Sequence, residues 1–432
     1  MSDWIASAAA GPLRATLAMP GDKSISHRAI MFAALADGVS RIEGFLEGED
    51  TRATAAMFAA MGVRIEAPAD GVRIVHGVGI DGLRAPSKPL ECGNAGTAMR
   101  LMCGLLAGQQ FPSTLVGDPS LSTRPMRRVI DPLARMGARI DSVDGHAPLQ
   151  VHPAALAGID IRTEVASAQV KSALLLAGLR ASGTTTVRED QPTRDYTERM
   201  LAAFGVDIDF DPGIASLRGG QRLRATDIQV PADFSSAAFF IVAASIVPGS
   251  DLQLQRVGMN PRRTGLLHVL RAMGADIQVR DAGAHGGEPV ADLRVRHAPL
   301  RGIEVPRQHV ADMIDEFPAL FVAAACAHGA TVVRDAAELR VKESDRIASM
   351  AGGLRTLGIA VEETADGATI HGGAMHGGSV DSHTDHRIAM SFAVAAQRAS
   401  GDVRIGRVEN VATSFPGFDA LALQAGMALR NA

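Results

Sequence analysis

The residues best suited to chemistry stand in short polar runs, several of them at the point where an apolar helix is expected to begin. Pro20-Gly21-Asp22-Lys23-Ser24-Ile25-Ser26-His27-Arg28 sets a turn before a helix and keeps Lys23, Ser24 and Arg28 within about one and a half turns. Lys23 and Arg28 lie five apart, so they splay slightly and suit two different anionic groups. A solvated helix face is the ordinary alternative. Ser122-Thr123-Arg124-Pro125-Met126-Arg127-Arg128 clusters three arginines before a helix, which reads as an anion clamp or as a surface basic helix start. Arg340-Val341-Lys342-Glu343-Ser344-Asp345-Arg346 packs five charged residues into seven positions. If this run is helical, Lys342 and Arg346 share a face, while Glu343 points elsewhere as a proton donor or acceptor. A surface ion-pair helix is the competing reading. Asp315-Glu316 lies among apolar residues just before a helix expected to be buried. A carboxylate there is costly unless it caps or catalyses, and catalysis is the reading taken.

The remaining helix starts read Gly93-Asn94-Ala95-Gly96-Thr97-Ala98-Met99-Arg100, Ser167-Ala168-Gln169-Val170-Lys171, Asp233-Phe234-Ser235-Ser236, Asp312-Met313-Ile314-Asp315-Glu316 and Thr384-Asp385-His386-Arg387. Helix N-termini present unpaired N–H groups and a partial positive charge, which favours anions. Ser235 and Ser236 serve equally as ordinary caps. Lys23, Arg28 and Arg387 do not, because a cation at a helix N-terminus opposes the macrodipole and needs an anion to justify it. Two other patterns lead nowhere. Gly77-Val78-Gly79-Ile80-Asp81-Gly82 spells a dinucleotide-binding turn, but Pro86 and Pro89 follow where its helix would begin. His383-Thr384-Asp385-His386 hints at a metal, yet no second cluster has ligand spacing, so no metal and no cofactor is expected.

These runs are positioned by a repeating framework. The signature Met61-Gly62-Val63-Arg64-Ile65 returns around Gly137, Gly205, Gly274 and Gly358 and, degenerate, around Gly426, in steps of 75, 68, 69, 84 and 68 residues. Each copy follows a helical pattern and precedes a β-branched run, so the glycine reads as a helix stop feeding a strand. In phase with it, an alanine-rich apolar helix passes near a glycine into a strand six times, for example over 33–42, 105–115 and 174–187. Six βα-type units of about 72 residues thus account for all 432 residues.

Composition agrees with a folded globular chain. Hydrophobic residues make up 47% and charged residues 21%, and a net charge of −4 supplies no basic field for nucleic acid. The longest uncharged runs, 234–250 and 317–333, hold 17 residues each and carry Pro, Gly, Ser or His, so they read as buried helices leading into strands rather than membrane spans. The N-terminal residues lack the basic start of a signal peptide, and the three cysteines form no CxxC pair; a cytoplasmic chain with buried reduced thiols is expected.

The runs GDKSISHR, GNAGTAMR, SLSTRPM, SAQVKSALLLAG, VKESDRIA, DHRIAMSFA and ATSFPGF closely resemble the 3-phosphoshikimate 1-carboxyvinyltransferase (EPSP synthase) family, in its class II branch, from Pro20 to about Phe418. The resemblance implies an inside-out, barrel-like α/β architecture of two domains with three repeated units each. It places one domain at 21–229, binding mainly shikimate 3-phosphate, and the other at 1–20 plus 230–432, with the active site in the cleft between them. By motif, Lys23, Ser24, Arg28, Ser167, Ala168, Gln169, Arg194, Asp315 and Lys342 would hold shikimate 3-phosphate. Lys23, Gly96, Arg124, Gln169, Arg346 and Arg387 would surround phosphoenolpyruvate. Asp315 resembles the family's base, Glu343 its second proton-transfer group, and Lys23 joins them as catalytic. Enolpyruvyl transfer by addition and elimination, with domain closure, in a monomeric cytoplasmic enzyme of aromatic amino acid biosynthesis is the implied activity. Many members carry a lysine before the late Phe-Pro motif, where this chain has Thr413-Ser414, so no cation is assigned there.

The sister family acting on UDP-N-acetylglucosamine places a reactive cysteine five residues before its Arg-Pro, and the corresponding residue here is Pro119. A non-catalytic anion-binding scaffold would have no use for Asp315 and Glu343 at such a site.

Overall fold

The computed structural model describes residues 3–285 and 287–432. Its contacts divide the chain into two compact units, one of Met1–Pro20, Pro231–Gly283 and Pro289–Ala432, the other of Gly21–Val230 with Ala284–Glu288. Each unit has a separate hydrophobic core, one drawn from residues between Ile25 and Val230, the other from Trp4–Met19 and Ala232–Leu429.

The Gly21–Val230 unit carries three small mixed sheets. In one, Leu90–Glu91 runs parallel to Ser113–Val116, which pairs antiparallel with His146–His152, which pairs antiparallel with Arg139–Val143. The helix Gly96–Ala107 connects the two parallel strands. Asp160–Arg162, Thr184–Arg188, Ile214–Arg218 and Ile208–Asp211 follow the same order of pairings around the helix Ala168–Gly178. The third sheet sets Ala36–Glu43 between Leu223–Arg224 and Val72–Val78, with the helix Lys23–Leu35 leading straight into it. The other unit also holds three sheets, with Asp251–Gly258, Ala330–Val333 and Val403–Gly406 following the helices Phe234–Ile246, Phe317–Ala325 and His386–Ala396.

Amphipathicity is weak in these helices because they are core elements. Every residue of Phe234–Ile246 is buried, as is every residue from Ile25 to Leu35 in Lys23–Leu35. The runs expected to be buried helices leading into strands are that. The six glycines of the repeated signature all have φ between 81° and 99°. This left-handed conformation, at which glycine carries no steric penalty, ends each helix before the next strand. No described helix is long and apolar enough to cross a membrane.

Helix starts depart from expectation at three places. Ser235 and Ser236 are not caps: Asp233 caps that helix by accepting from Ser235 N at 3.0 Å, and Ser236 Oγ donates to Asp233 at 3.0 Å. The run at Asp312 does not open a long helix; two short 3-10 turns intervene and the helix begins at Phe317. Lys342 and Glu343 lie outside any helix, because the Asp345 carboxylate caps Ala348 N at 3.0 Å and starts the helix at Arg346.

Candidate active site

In the Gly21–Val230 unit, Asp22 caps the helix Lys23–Leu35 by accepting from Ile25 N at 2.9 Å. Lys23 Nζ then pairs with Asp50, a buried carboxylate in the first turn of the helix Glu49–Ala60. One turn on, Arg28 is only 3% exposed. Its guanidinium donates to Thr197 Oγ1 at 2.7 Å, to Ser24 O at 2.9 Å and to Ser172 Oγ at 2.9 Å. All three acceptors are neutral. Burial first, and then the positive charge of Arg194, pull Arg28 down to about 10. Arg28 is thus buried within reach of the charges of Arg194, Glu198 and Asp22.

A second cluster surrounds Gly96, the first residue of the helix Gly96–Ala107. No side chain caps this helix, whose cap position is Ala95. Arg124 Nη2 donates to Asn94 Oδ1 at 2.6 Å, and Asn94 is held in turn by Asp118 at 2.8 Å. Arg100 Nη1 donates to Gln169 Oε1 at 2.7 Å, and Gln169 Nε2 donates to Thr97 Oγ1 at 2.8 Å. Gly96, Gln169 and Arg124 therefore stand together, with Arg100 among them. Arg100 closes the quoted run that starts at Gly93, and its place one turn beyond Gly96 is the signal that could have found it. Of the other two arginines in that basic run, Arg127 is exposed. Ser167 caps its helix at Val170 N, 3.5 Å away, and Ala168 is the first helical residue. Arg194 sits, partly exposed, in the loop before the helix Tyr196–Ala203.

The other unit gathers the carboxylates. Asp315 accepts from Arg263 Nη1 at 3.1 Å and from Arg346 Nη1 at 3.4 Å, with Lys342 Nζ 3.6 Å away. Arg346, 1% exposed, also donates to Glu343 at 2.5 Å and to the buried Asp385 at 2.8 Å. Burial pulls Arg346 down, but Asp385, Glu343 and Asp315 outweigh it and raise it above its ordinary value. Glu343 does not point elsewhere: from the irregular backbone at 342–345 it accepts from the Arg346 guanidinium, while Lys342 and Arg346 both reach Asp315. Arg387 follows the cap Asp385, which accepts from its N–H at 2.9 Å, and its Nη1 lies 3.9 Å from the buried Glu316. Glu316 also accepts from Ser235, to which Arg263 donates. Arg263 and Asp385 thus complete this cluster, and only Asp385 stood in a quoted motif.

Cys103 and Cys326 are free thiols pushed up to about 12, in each case chiefly by burial; Cys92 is likewise free and buried. None of the three is poised as a nucleophile.

The family model for EPSP synthase (3-phosphoshikimate 1-carboxyvinyltransferase) matches residues 8–421. The 3-phosphoshikimate 1-carboxyvinyltransferase of Xanthomonas oryzae pv. oryzae is 69% identical over 431 residues, covering 99% of this chain and 98% of the relative. That of Xanthomonas campestris pv. campestris is 68% identical over 428 residues, again covering 99% and 98%. Among solved structures, an EPSP synthase from Acinetobacter baumannii superposes with a TM-score of 0.90 at 49% identity, covering 100% of both chains. The enolpyruvyl transferase NikO from Streptomyces tendae, at 19% identity and a TM-score of 0.79 over 100% of this chain and 99% of its own, shares the fold.

Proposed function

This chain belongs to the EPSP synthase (3-phosphoshikimate 1-carboxyvinyltransferase) family, and from that membership we propose which of its groups bind and which move protons. The enzyme transfers the enolpyruvyl group of phosphoenolpyruvate to the 5-hydroxyl of shikimate 3-phosphate and releases phosphate, a step of aromatic amino acid biosynthesis.

Two substrates, each bearing a phosphate and a carboxylate, need several cationic clamps, and arginine suits bidentate holding. Lys23, Ser24, Arg28, Ser167, Ala168, Gln169 and Arg194, with Asp315 and Lys342, are proposed to hold shikimate 3-phosphate. The uncapped start of Gly96–Ala107, flanked by Arg100 and Arg124, supports a phosphoenolpyruvate subsite shared with Lys23, Gln169, Arg346 and Arg387. These groups are divided between the two units, which supports a reaction in which both units engage one pair of substrates and close on them. One chain supplies every group, so a monomer suffices. The six helix–strand pairings support six copies of one unit, three in each half. The three free thiols suit a reducing cytoplasm.

In the addition step, Asp315 takes the proton of the 5-hydroxyl as that oxygen bonds to C2 of phosphoenolpyruvate, and Glu343 supplies a proton to C3. In the elimination step, C3 returns a proton to Glu343, the C2–O bond to phosphate breaks, the double bond re-forms, and the departing phosphate takes up the proton held by Asp315. Cations around the adduct stabilise its carboxylate and the departing phosphate. The observation that carries this reading is that one buried guanidinium, Arg346, bridges Asp315 and Glu343, since anion binding alone has no use for two carboxylates. Phosphate release should require both substrates together; release with either alone, or none with both, would overturn it.

A further inference from the structure

Lys171 has no part in the reading above, yet it is buried at a junction. Its ammonium, 4% exposed, lies 2.9 Å from Glu189 Oε2 and 2.8 Å from Glu198 Oε1, and those side chains are 1% and 2% exposed. It also reaches the Thr193 carbonyl at 3.4 Å. Glu189 in turn accepts from Thr193 N at 3.1 Å and from Thr193 Oγ1 at 2.5 Å. One lysine therefore grips the start of the segment Glu189–Asp195, a point next to its end, and the helix that follows. That segment has no regular secondary structure of its own, and Arg194 is the residue immediately after Thr193. The next residue on the same helix, Ser172, accepts from Arg28 at 2.9 Å.

One ammonium buried with two carboxylates is a poor device for stability alone, since apolar packing of similar volume serves as well or better. The arrangement does suit a loop that must hold one conformation, because the segment carries Arg194, whose charge acts on the buried Arg28 alongside the opposing charges of Glu198 and Asp22. We propose that Lys171 is a positioning residue: with Glu189 it latches the Glu189–Asp195 segment and so presents Arg194 to shikimate 3-phosphate. This rests on the assignment of Arg194 to that substrate.

The test is a double-mutant cycle on the full-length enzyme, reading the dissociation constant of shikimate 3-phosphate by titration together with kcat and the KM for phosphoenolpyruvate. Lys171→Met should weaken shikimate 3-phosphate about tenfold to a hundredfold, the size of one lost charge-assisted contact, and leave kcat and the other KM within about threefold. Combined with Arg194→Ala, it should add nothing to the loss from Arg194→Ala alone. Unchanged affinity in Lys171→Met, or losses that multiply in the double variant, would overturn the latch. Should Arg194→Ala bind normally, the assignment of Arg194 fails instead, and amide exchange at Thr193 then decides the latch: faster in Lys171→Met supports it, unchanged overturns it. If Lys171→Met does not fold, Glu189→Gln, which keeps the size, removes the charge of Glu189 and leaves Lys171 paired with Glu198, is judged by the same outcomes.

Discussion

A β-carbon added to Gly96 would stand 3.2 Å from Nη1 of Arg124, and 3.3 Å from Nη1 of Arg100. Gly104, in the same helix, contrasts with it: there an added carbon would fall 1.9 Å from the Ala173 carbonyl oxygen, so that glycine lets two helices pack. Gly96 instead keeps space at the ends of two guanidiniums.

Gly96→Ala should therefore fold at least as stably, since alanine in a helix is favoured over glycine by about 1 kcal/mol. It should weaken phosphoenolpyruvate somewhat by shifting Arg124 and Arg100. The family resemblance implies that glyphosate competes for the phosphoenolpyruvate site and is longer than that substrate, so if Gly96 lines the proposed subsite, inhibition should weaken much more. Inhibition and melting curves check this; equal inhibition of variant and parent would place Gly96 away from the pocket.

Lys23→Met separates binding from stability. Two charge-assisted contacts at about 1.5–3 kcal/mol each predict a fall in kcat/KM of about 10²- to 10⁴-fold. Asp50, 4% exposed with Oδ1 lacking a hydrogen-bond partner among the described residues, would lose its counter-charge, so Tm should fall as well. Adding Asp50→Asn should recover Tm but not activity. Near-normal kcat/KM for both substrates in Lys23→Met would remove it from the site.

Asp315→Asn and Glu343→Gln keep size while removing the ability to exchange a proton. Each should lower kcat by about 10²- to 10⁴-fold with a much smaller effect on substrate dissociation constants. A variant that mainly raises a dissociation constant identifies a binding group.

His27 links the same helix to acid stability. Burial first, then Lys23 and Arg28, hold it well below its ordinary value of 6.5. The unfolded chain therefore binds a proton below pH 6.5 that the folded chain refuses, and stability falls as pH drops from there, by about 1.4 kcal/mol per pH unit. Above that pH both states are neutral and the contribution vanishes. His27→Gln should flatten the decline between about pH 6.5 and 5.5 by about 1 kcal/mol, because the unfolded imidazole is only half protonated at the upper end. Parallel unfolding curves for parent and variant over that interval would refute it.

What the sequence by itself determined is local. Helix ends at the signature glycines, and the core helices of 23–35, 234–246 and 317–325, follow from backbone preference and from runs of adjacent apolar residues. The polar motifs showed which kinds of residue gather at helix starts, because capping and macrodipole effects act within one turn. Tertiary structure alone decided the partners. Arg263 reaches Asp315 across 52 residues and Lys171 reaches Glu189 across 18, and no periodicity encodes such pairs, since each depends on how separate helices and loops pack. The same holds for Glu343. Its spacing of three from Arg346 would allow contact in a helix too, but the Asp345 cap starts the helix only at Arg346, so it is irregular backbone that brings both Lys342 and Glu343 to the Arg346–Asp315 pair.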